Sequence, residues 1–537
     1  MTLERRESRF MSFGWRHDDR RGTTDPAPSA RDKMHYARFA LAIASGFLFA
    51  CAFPNVAIGW LIFLAPFPLF IAIIRARSGL EATFSGWLSQ TTAWLLMVPW
   101  VVRVMSHYGG LPYLIAVALF VALCCVLGLY GAAFGWIACR IRPDEHFSRW
   151  LLLPLAWAAV EYVRTYLLTG VPWNLVAAAI VDYTSLIQID RFAGPYAMPL
   201  LIFLPATLVT WLMFAKPKSF HAFVVTATVV IVCFIWWVTG YTASKFIGRP
   251  AGMNTTVAAL LQPNISQEMR WNDSNLMEIF DRMMVMTDEA VQRGASLVVW
   301  PESTVPLSYS TTDFYRSAIE STSLQHGIDI ILGSVAEDPN QPTKMWNAAF
   351  LVSNGRTIGH YDKIHLVPFG EYVPLRKMLF FAHKLVHAVG EFEFGTKDTP
   401  LDGKLRYGLA ICYEIVFPQI ARVQVIHGAD VLVTITNDAW YDGTSAPRQH
   451  LNQARLRAIE TNRYLLRAAT TGISAFVDPT GRIVDELPMD RQGIIYAKFG
   501  TRHSTTPYVR FGDWFAWMAC ALTLFALVKR GTMKDER

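Results

Sequence analysis

The sequence predicts two kinds of structure in one chain: an α-helical membrane bundle of about eight spans and, between the seventh and eighth, an α/β domain layered as an α-β-β-α sandwich. Three observations predict it. Hydrophobic residues make up 53% of the 537 positions and charged residues only 17%, well under the roughly 25% usual in a soluble domain. Stretches free of Lys, Arg, Asp and Glu fill most of 39–244 and recur near the C-terminus, whereas 245–507 has an ordinary mixture. Within that second region, short β-rich runs alternate with segments of helical periodicity, as in a layered α/β fold. The chain then divides into a polar, disordered cytoplasmic arm (1–38), spans one to seven (39–244), an extracytoplasmic domain (245–507), and a last span with a basic cytoplasmic tail (508–537).

A helix needs about 20 apolar residues to cross a bilayer. Pro54-Asn55 interrupts the charge-free run 39–74 near its middle, which makes two short spans joined by a tight turn. Further spans are expected at 82–102, 111–139, 192–215 and 220–244. The span 150–168 contains Glu161 and Arg164, which share one helical face. Ionisable groups in a span cost about 2.5–3.5 kcal/mol each, so these two are expected to turn inward as a structural salt bridge. The last span, 514–528, is the shortest.

Orientation follows from the basic residues. Arg75 and Arg77, then Arg140, Arg142 and Arg149, then Lys216 and Lys218, then Lys529 and Arg530 occupy alternate connections, on the side of the Arg-rich arm. Lys and Arg are retained on the cytoplasmic side, which places the domain at 245–507 on the opposite face. The first apolar segment begins too deep in the chain, and lacks the small-residue cleavage site, for a cleaved signal peptide.

Several function classes drop out. The net charge is +7, but no basic stripe interleaved with aromatics appears in the domain, so no nucleic-acid partner is expected. Its histidines show no metal-ligand spacing such as His-Glu-x-x-His, and no Gly-rich phosphate loop precedes a helix, so neither metal nor nucleotide cofactor is expected. Of the seven cysteines, only Cys412 lies in the domain. It has no partner there for a disulfide and is either a packed core residue or a working thiol.

Strands are expected at 257–261, 297–300, 328–333, 348–352, 408–412, 431–436 and 474–477, and helices at 275–293, 314–325, 419–427 and 449–464. The residues able to do chemistry fall mostly where strands end. Val298-Val299-Trp300-Pro301-Glu302 is a buried strand stopped by proline, which delivers Glu302 to the carboxyl edge. Leu409-Ala410-Ile411-Cys412-Tyr413-Glu414 does the same for Cys412, and Tyr361-Asp362-Lys363 precedes a turn-like Pro368-Phe369-Gly370-Glu371. A lone cysteine after an apolar strand is more often core than catalyst, and a lone Glu or Lys is usually a solvated charge. Together they suffice for acyl transfer: a carboxylate takes the thiol proton as sulfur attacks a carbonyl, and an ammonium stabilises the developing oxyanion.

Trp300-Pro301-Glu302, Asp362-Lys363 and Cys412-Tyr413-Glu414 resemble the Glu, Lys and Cys motifs of the nitrilase superfamily. The longer segments 368–374, Asn437-Asp438-Ala439-Trp440-Tyr441, Thr471-Gly472-Ile473-Ser474 and 168–173 resemble the apolipoprotein N-acyltransferase family. The resemblance covers nearly the whole chain after the arm. It implies Glu302 as general base, Lys363 as oxyanion stabiliser and Cys412 as nucleophile, with Glu371, Glu414, Tyr413 and Trp271 as supporting residues. Pro263 departs from the pattern, where the family commonly has Gly. The implied reaction moves an acyl chain from a membrane phospholipid, through a Cys thioester, to the N-terminal amine of a diacylglyceryl-modified apolipoprotein. The implied setting is a monomer in the bacterial inner membrane with a periplasmic catalytic domain and no cofactor. A membrane-tethered amidase or hydrolase would use the same three residues with water as second nucleophile.

Overall fold

The computed structural model describes residues 30–141, 145–247, 255–270, 272–305, 307–372 and 392–535. Most of the arm, Trp271, and Val373-Pro374 of the turn motif lie outside the described residues. Contacts divide the chain after Ala37, and residues 38–537 form the larger compact unit.

All eight apolar segments contain helix. By length and composition, Tyr113–Ile141, Pro195–Ala215 and Ser219–Ile247 are long and apolar enough to cross a membrane, with shorter apolar helices at Tyr36–Cys51, Gly59–Ile74 and Trp514–Lys529. The helix Gly79–Met97 starts on Ser78, whose hydroxyl accepts from the Glu81 amide, a helix N-cap. It packs tightly on Tyr113–Ile141 because both carry glycine at the crossing. A Cβ on Gly86 would lie 2.1 Å from the Gly131 carbonyl oxygen, and small residues of this kind let membrane helices approach backbone to backbone. The run expected to reach residue 102 breaks at Met97. Pro99 lacks an N–H for the helix, and the chain restarts as Trp100–Arg103 followed by a π-helical turn, Val104–Tyr108.

The domain contains β1 (Thr255–Gln262), β2 (Leu297–Val299), β3 (Asp329–Asp338), β4 (Gln341–Ser353), β5 (Arg356–Asp362), β6 (Leu401–Asp402), β7 (Arg406–Ile411), β8 (Val431–Thr436), β9 (Leu465–Ala469), β10 (Ser474–Val477), β11 (Ile483–Leu487) and β12 (Gly493–Gly500). They form two six-stranded sheets, in the orders β12-β1-β2-β3-β4-β5 and β11-β10-β9-β8-β7-β6. The centre of each is parallel, β1-β2-β3 in one and β7-β8-β9 in the other, with antiparallel flanks.

Between the sheets lies one apolar core in which Leu260, Val299, Ile331 and Leu351 meet Leu409, Ile411, Val433 and Leu466. The outer face of the first sheet is covered by the helices Leu276–Gln292 and Asp313–His326. The outer face of the second is covered by Pro418–Ile426 and Ala446–Thr461, whose apolar side chains belong to the same continuous core as the membrane helices. The seven expected strands and four expected helices are all present, with ends shifted by up to seven residues, most at the start of β4. β5, β6, β9, β11 and β12 are not among the expected strands: all five segments carry charged residues and take their extended form from the neighbouring strand.

Candidate active site

Glu302 follows β2, Lys363 follows β5 and Cys412 follows β7, so strand ends from both sheets bring the three side chains to one edge of the sandwich. All three are buried. Pro301 stops β2, and the next turn needs Gly333 opposite it: a Cβ there would sit 2.6 Å from the Glu302 Cα. Cys412 takes a φ of 52°, a left-handed conformation unusual for a side-chain-bearing residue, and such strain gathers at functional sites.

The Lys363 ammonium lies 2.9 Å from Glu371 Oε1 and 3.4 Å from Glu302 Oε1. Asn347 Nδ2 donates to both carboxylates, at 2.7 Å to Glu302 and 2.8 Å to Glu371. The second oxygens are held by main-chain amides, Asn437 N to Glu302 Oε2 and Val367 N to Glu371 Oε2, both at 2.8 Å. Burial alone would lower the Lys363 ammonium, but the two carboxylates outweigh it and hold the amine above its ordinary range, and so charged. Burial, reinforced by Glu302, pushes the Cys412 thiol up, with Lys363 opposing. The resting sulfur is therefore protonated, with a carboxylate and an ammonium acting on it in opposite directions.

Glu414 ties two loops together. Its carboxylate accepts from Ile364 N at 2.6 Å, His365 N at 3.0 Å, Ile411 N at 2.7 Å and the Tyr361 hydroxyl at 3.1 Å. Burial lifts this carboxyl to about 7 against the pull of its amide donors. One side chain thus holds the backbone just after Lys363 and just before Cys412, and the Tyr361 side chain two residues ahead of Lys363.

Tyr413 stacks on Trp173 from the segment after the fifth span, with ring centroids 6.3 Å apart. The loop 437–441 reaches the π-helical turn of the membrane part: Tyr108 donates to the Ala439 carbonyl at 2.8 Å, and Tyr441 lies edge-on to Trp100 at 5.0 Å. Glu161 and Arg164 face inward, 3.8 Å apart. They also hold the backbone beside Trp173: Arg164 donates to the Trp173 carbonyl at 2.9 Å, and Glu161 accepts from Val176 N at 3.0 Å. At the departure from the family pattern, Pro263, the left-handed position is taken by Asn264 at φ 52°, whose amide donates to the Thr470 carbonyl at 3.0 Å.

Of the residues singled out from sequence, Glu302, Lys363, Cys412, Glu371, Glu414 and Tyr413 converge, and Trp271 lies outside the described residues. Sequence reasoning missed Asn347, which bridges both carboxylates from an inward position on β4, and His450 and Arg467 behind the cysteine. Only the strand register of Asn347, between apolar neighbours at an edge, carried any signal. Among the described residues, no group of three or more His, Cys, Asp or Glu could hold a metal ion.

A sandwich with Glu, Lys and Cys at its strand ends, fused to a helical bundle, defines a membrane-bound enzyme of carbon-nitrogen hydrolase fold; the family model described as carbon-nitrogen hydrolase matches residues 257–502. A second model, the apolipoprotein N-acyltransferase N-terminal domain, matches residues 45–208. The apolipoprotein N-acyltransferase of Geobacter metallireducens is 34% identical over 490 residues, 90% of this chain and 93% of the relative. That of Methylococcus capsulatus is 32% identical over 490 residues, 90% of this chain and 94% of the relative. The chain belongs to the apolipoprotein N-acyltransferase family.

Proposed function

We propose that the chain transfers an acyl chain from a membrane phospholipid to the N-terminal amine of the S-diacylglyceryl cysteine of an apolipoprotein, in two steps through a thioester on Cys412. The observation that carries this reading is the charged Lys363 held between Glu302 and Glu371 beside a buried, protonated thiol. Glu302 takes the thiol proton as sulfur bonds to the ester carbonyl carbon. The resulting oxyanion faces Lys363, which has three donors and directs two of them at carboxylates. Collapse breaks the carbon–oxygen bond, and Glu302 returns the proton to the departing lysophospholipid. The amine then attacks the thioester, Glu302 accepts its proton, and the thiol is regenerated as the amide forms.

Glu371 positions and neutralises Lys363, and Glu414 fixes the loops that carry Lys363 and Cys412. Tyr413 forms an apolar wall with Trp173, and the resemblance gives Trp271 a supporting role. The site opens toward the lipid of the bacterial inner membrane on its periplasmic face, where both substrates are confined to the bilayer, and one chain suffices. Incubating the purified protein with an alkyne-tagged phospholipid and a diacylated lipopeptide tests the reaction: label should appear on Cys412 and then on the peptide amine. Release of free acid at the same rate with and without peptide would mean hydrolysis instead. Alkaline phosphatase fused after Thr256 should be active, and fusions after Lys218 or Arg530 inactive; a cytoplasmic result at Thr256 would overturn the periplasmic assignment.

A further inference from the structure

The first turn of the helix Ala446–Thr461 places two adjacent side chains between the membrane bundle and the cysteine. Gln449 is fully buried. Its Nε2 donates to the carbonyls of Pro54 and Met97, both at 2.7 Å, and its Oε1 accepts from the indoles of Trp173 at 2.8 Å and Trp100 at 3.3 Å. Carbonyls face the nitrogen and N–H donors face the oxygen, so the amide has one orientation and its capacity is filled. Met97 ends one membrane helix and Pro54 follows the end of another, where carbonyls lack intrahelical donors. A side chain of the catalytic domain therefore closes two broken ends of the membrane part.

His450, the next residue, turns the other way. Its Nε2 lies 3.0 Å from the Cys412 carbonyl oxygen, while Nδ1 lies 3.2 Å from an Arg467 nitrogen. Arg467 also donates to Asp438 Oδ2 at 2.8 Å, and Asp438 Oδ1 is 3.4 Å from Nδ1. Arginine only donates, so Nδ1 accepts and the proton sits on Nε2, directed at Cys412. Burial, then Arg467, hold the imidazole below its ordinary value and neutral, consistent with that tautomer.

We propose that Gln449 and His450 are positioning residues that act as one unit: Gln449 locks the helix to the membrane-helix ends, and His450 holds the Cys412 main chain in the left-handed conformation that aims its thiol. The proposal rests on Cys412 as nucleophile. It makes the geometry of the membrane bundle a determinant of the thioester-forming step, not only an anchor.

The test is single-turnover labelling of the full-length protein by an alkyne-tagged phospholipid, recording rate constant, amplitude and half-saturating donor concentration. Gln449→Asn, which keeps the amide but shortens its reach, and His450→Leu should each lower the rate constant by about 10- to 100-fold, as misplacing a reacting group does. Half-saturation should stay near the native value. His450→Gln, which restores a donor near the Nε2 position, should recover much of the rate. The double variant should be no slower than the slower single one, because groups in one chain of contacts are not additive. Native rate constants with reduced amplitude would mean that the residues only support folding, and multiplied effects would mean that they act separately; either overturns the proposal. If label in the native protein survives Cys412→Ala, the nucleophile assignment fails instead.

Discussion

The helices Leu276–Gln292 and Ala446–Thr461 do the same architectural job, each covering the outer face of one sheet of the same sandwich, yet they are built by opposite rules. Leu276–Gln292 buries Ile279, Phe280, Met283, Met286, Thr287 and Ala290 along one stripe and turns its opposite face to solvent, the usual amphipathic solution. Ala446–Thr461 buries every residue except Arg448, although its sequence includes Gln449, His450, Gln453, Arg455, Arg457 and Glu460. Buried polar groups are tolerable only when they are hydrogen-bonded. Here the partners come from both sides: Pro54, Met97, Asn174 and Val181 in the membrane part, and Cys412, Val416 and Gly481 in the domain. A polar helix sealed in this way joins the two parts by directional bonds that fix position, where an apolar seam would tolerate sliding.

The contrast can be broken most severely at the cysteine that the buried layer supports. Cys412→Ala should abolish transfer, a loss of at least about a thousandfold from removing the nucleophile. Replacing the other six cysteines together should leave activity largely intact, as followed by peptide acylation. Retained activity in Cys412→Ala would sink the mechanism.

Next come the two charges contributed by the first sheet. Glu302→Gln should slow thioester formation by about 10²- to 10⁴-fold, and Lys363→Met by about 10²- to 10³-fold. Their pH profiles separate them. Glu302 raises the thiol, so its removal leaves the sulfur more acidic, and raising pH then generates thiolate directly and recovers part of the rate. Removing Lys363 raises the thiol further and takes away the counter-charge of the oxyanion, so alkaline pH should not rescue that variant. Superimposable profiles in single-turnover labelling would contradict these roles.

Ion pairs of similar spacing sharpen the comparison itself. In the sealed helix, Arg457 pairs with the fully buried Glu460. Arg457→Met leaves that carboxyl without its partner and should destabilise by about 3–5 kcal/mol, much of it recovered in Arg457→Met/Glu460→Leu. Burial already pushes Glu460 up to about 7 against the pull of Arg457. Without Arg457 it rises further, so the protonated form folds more readily and the loss should grow as pH climbs from about 6 to about 8. Thermal inactivation across that range measures it.

The smallest effect is expected on the solvent side. Arg282 and Glu278 lie 2.9 Å apart one helical turn from each other, with Glu278 60% exposed. Glu278→Ala, which leaves the bond from Arg282 to the Pro263 carbonyl in place, should cost no more than about 1 kcal/mol by the same assay. A cost equal to that of Arg457→Met would remove the distinction between the two layers.

Much of this organisation was legible before any coordinates. Charge-free runs mark the membrane helices because no water is available there to solvate a charge. β-rich runs ending in Pro301-Glu302 and Cys412-Tyr413 mark the strands and the residues at their edges, because a proline or a turn must interrupt the ladder where a side chain is to be presented. The additional strands, by contrast, depend on partners distant in sequence: β12 is held by β1, and β9 lies between β8 and β10.

The sequence by itself determined which segments are apolar enough to leave water and which acid, amine and thiol sit at strand ends, since both are properties of neighbouring residues. Only the tertiary structure decided that Asn347 joins two carboxylates, that Glu414 clamps the loops of Lys363 and Cys412, and that Gln449 closes two membrane-helix ends. A polar side chain becomes structural only when donors and acceptors from remote parts of the chain are brought within hydrogen-bond distance of it, and no local pattern records that.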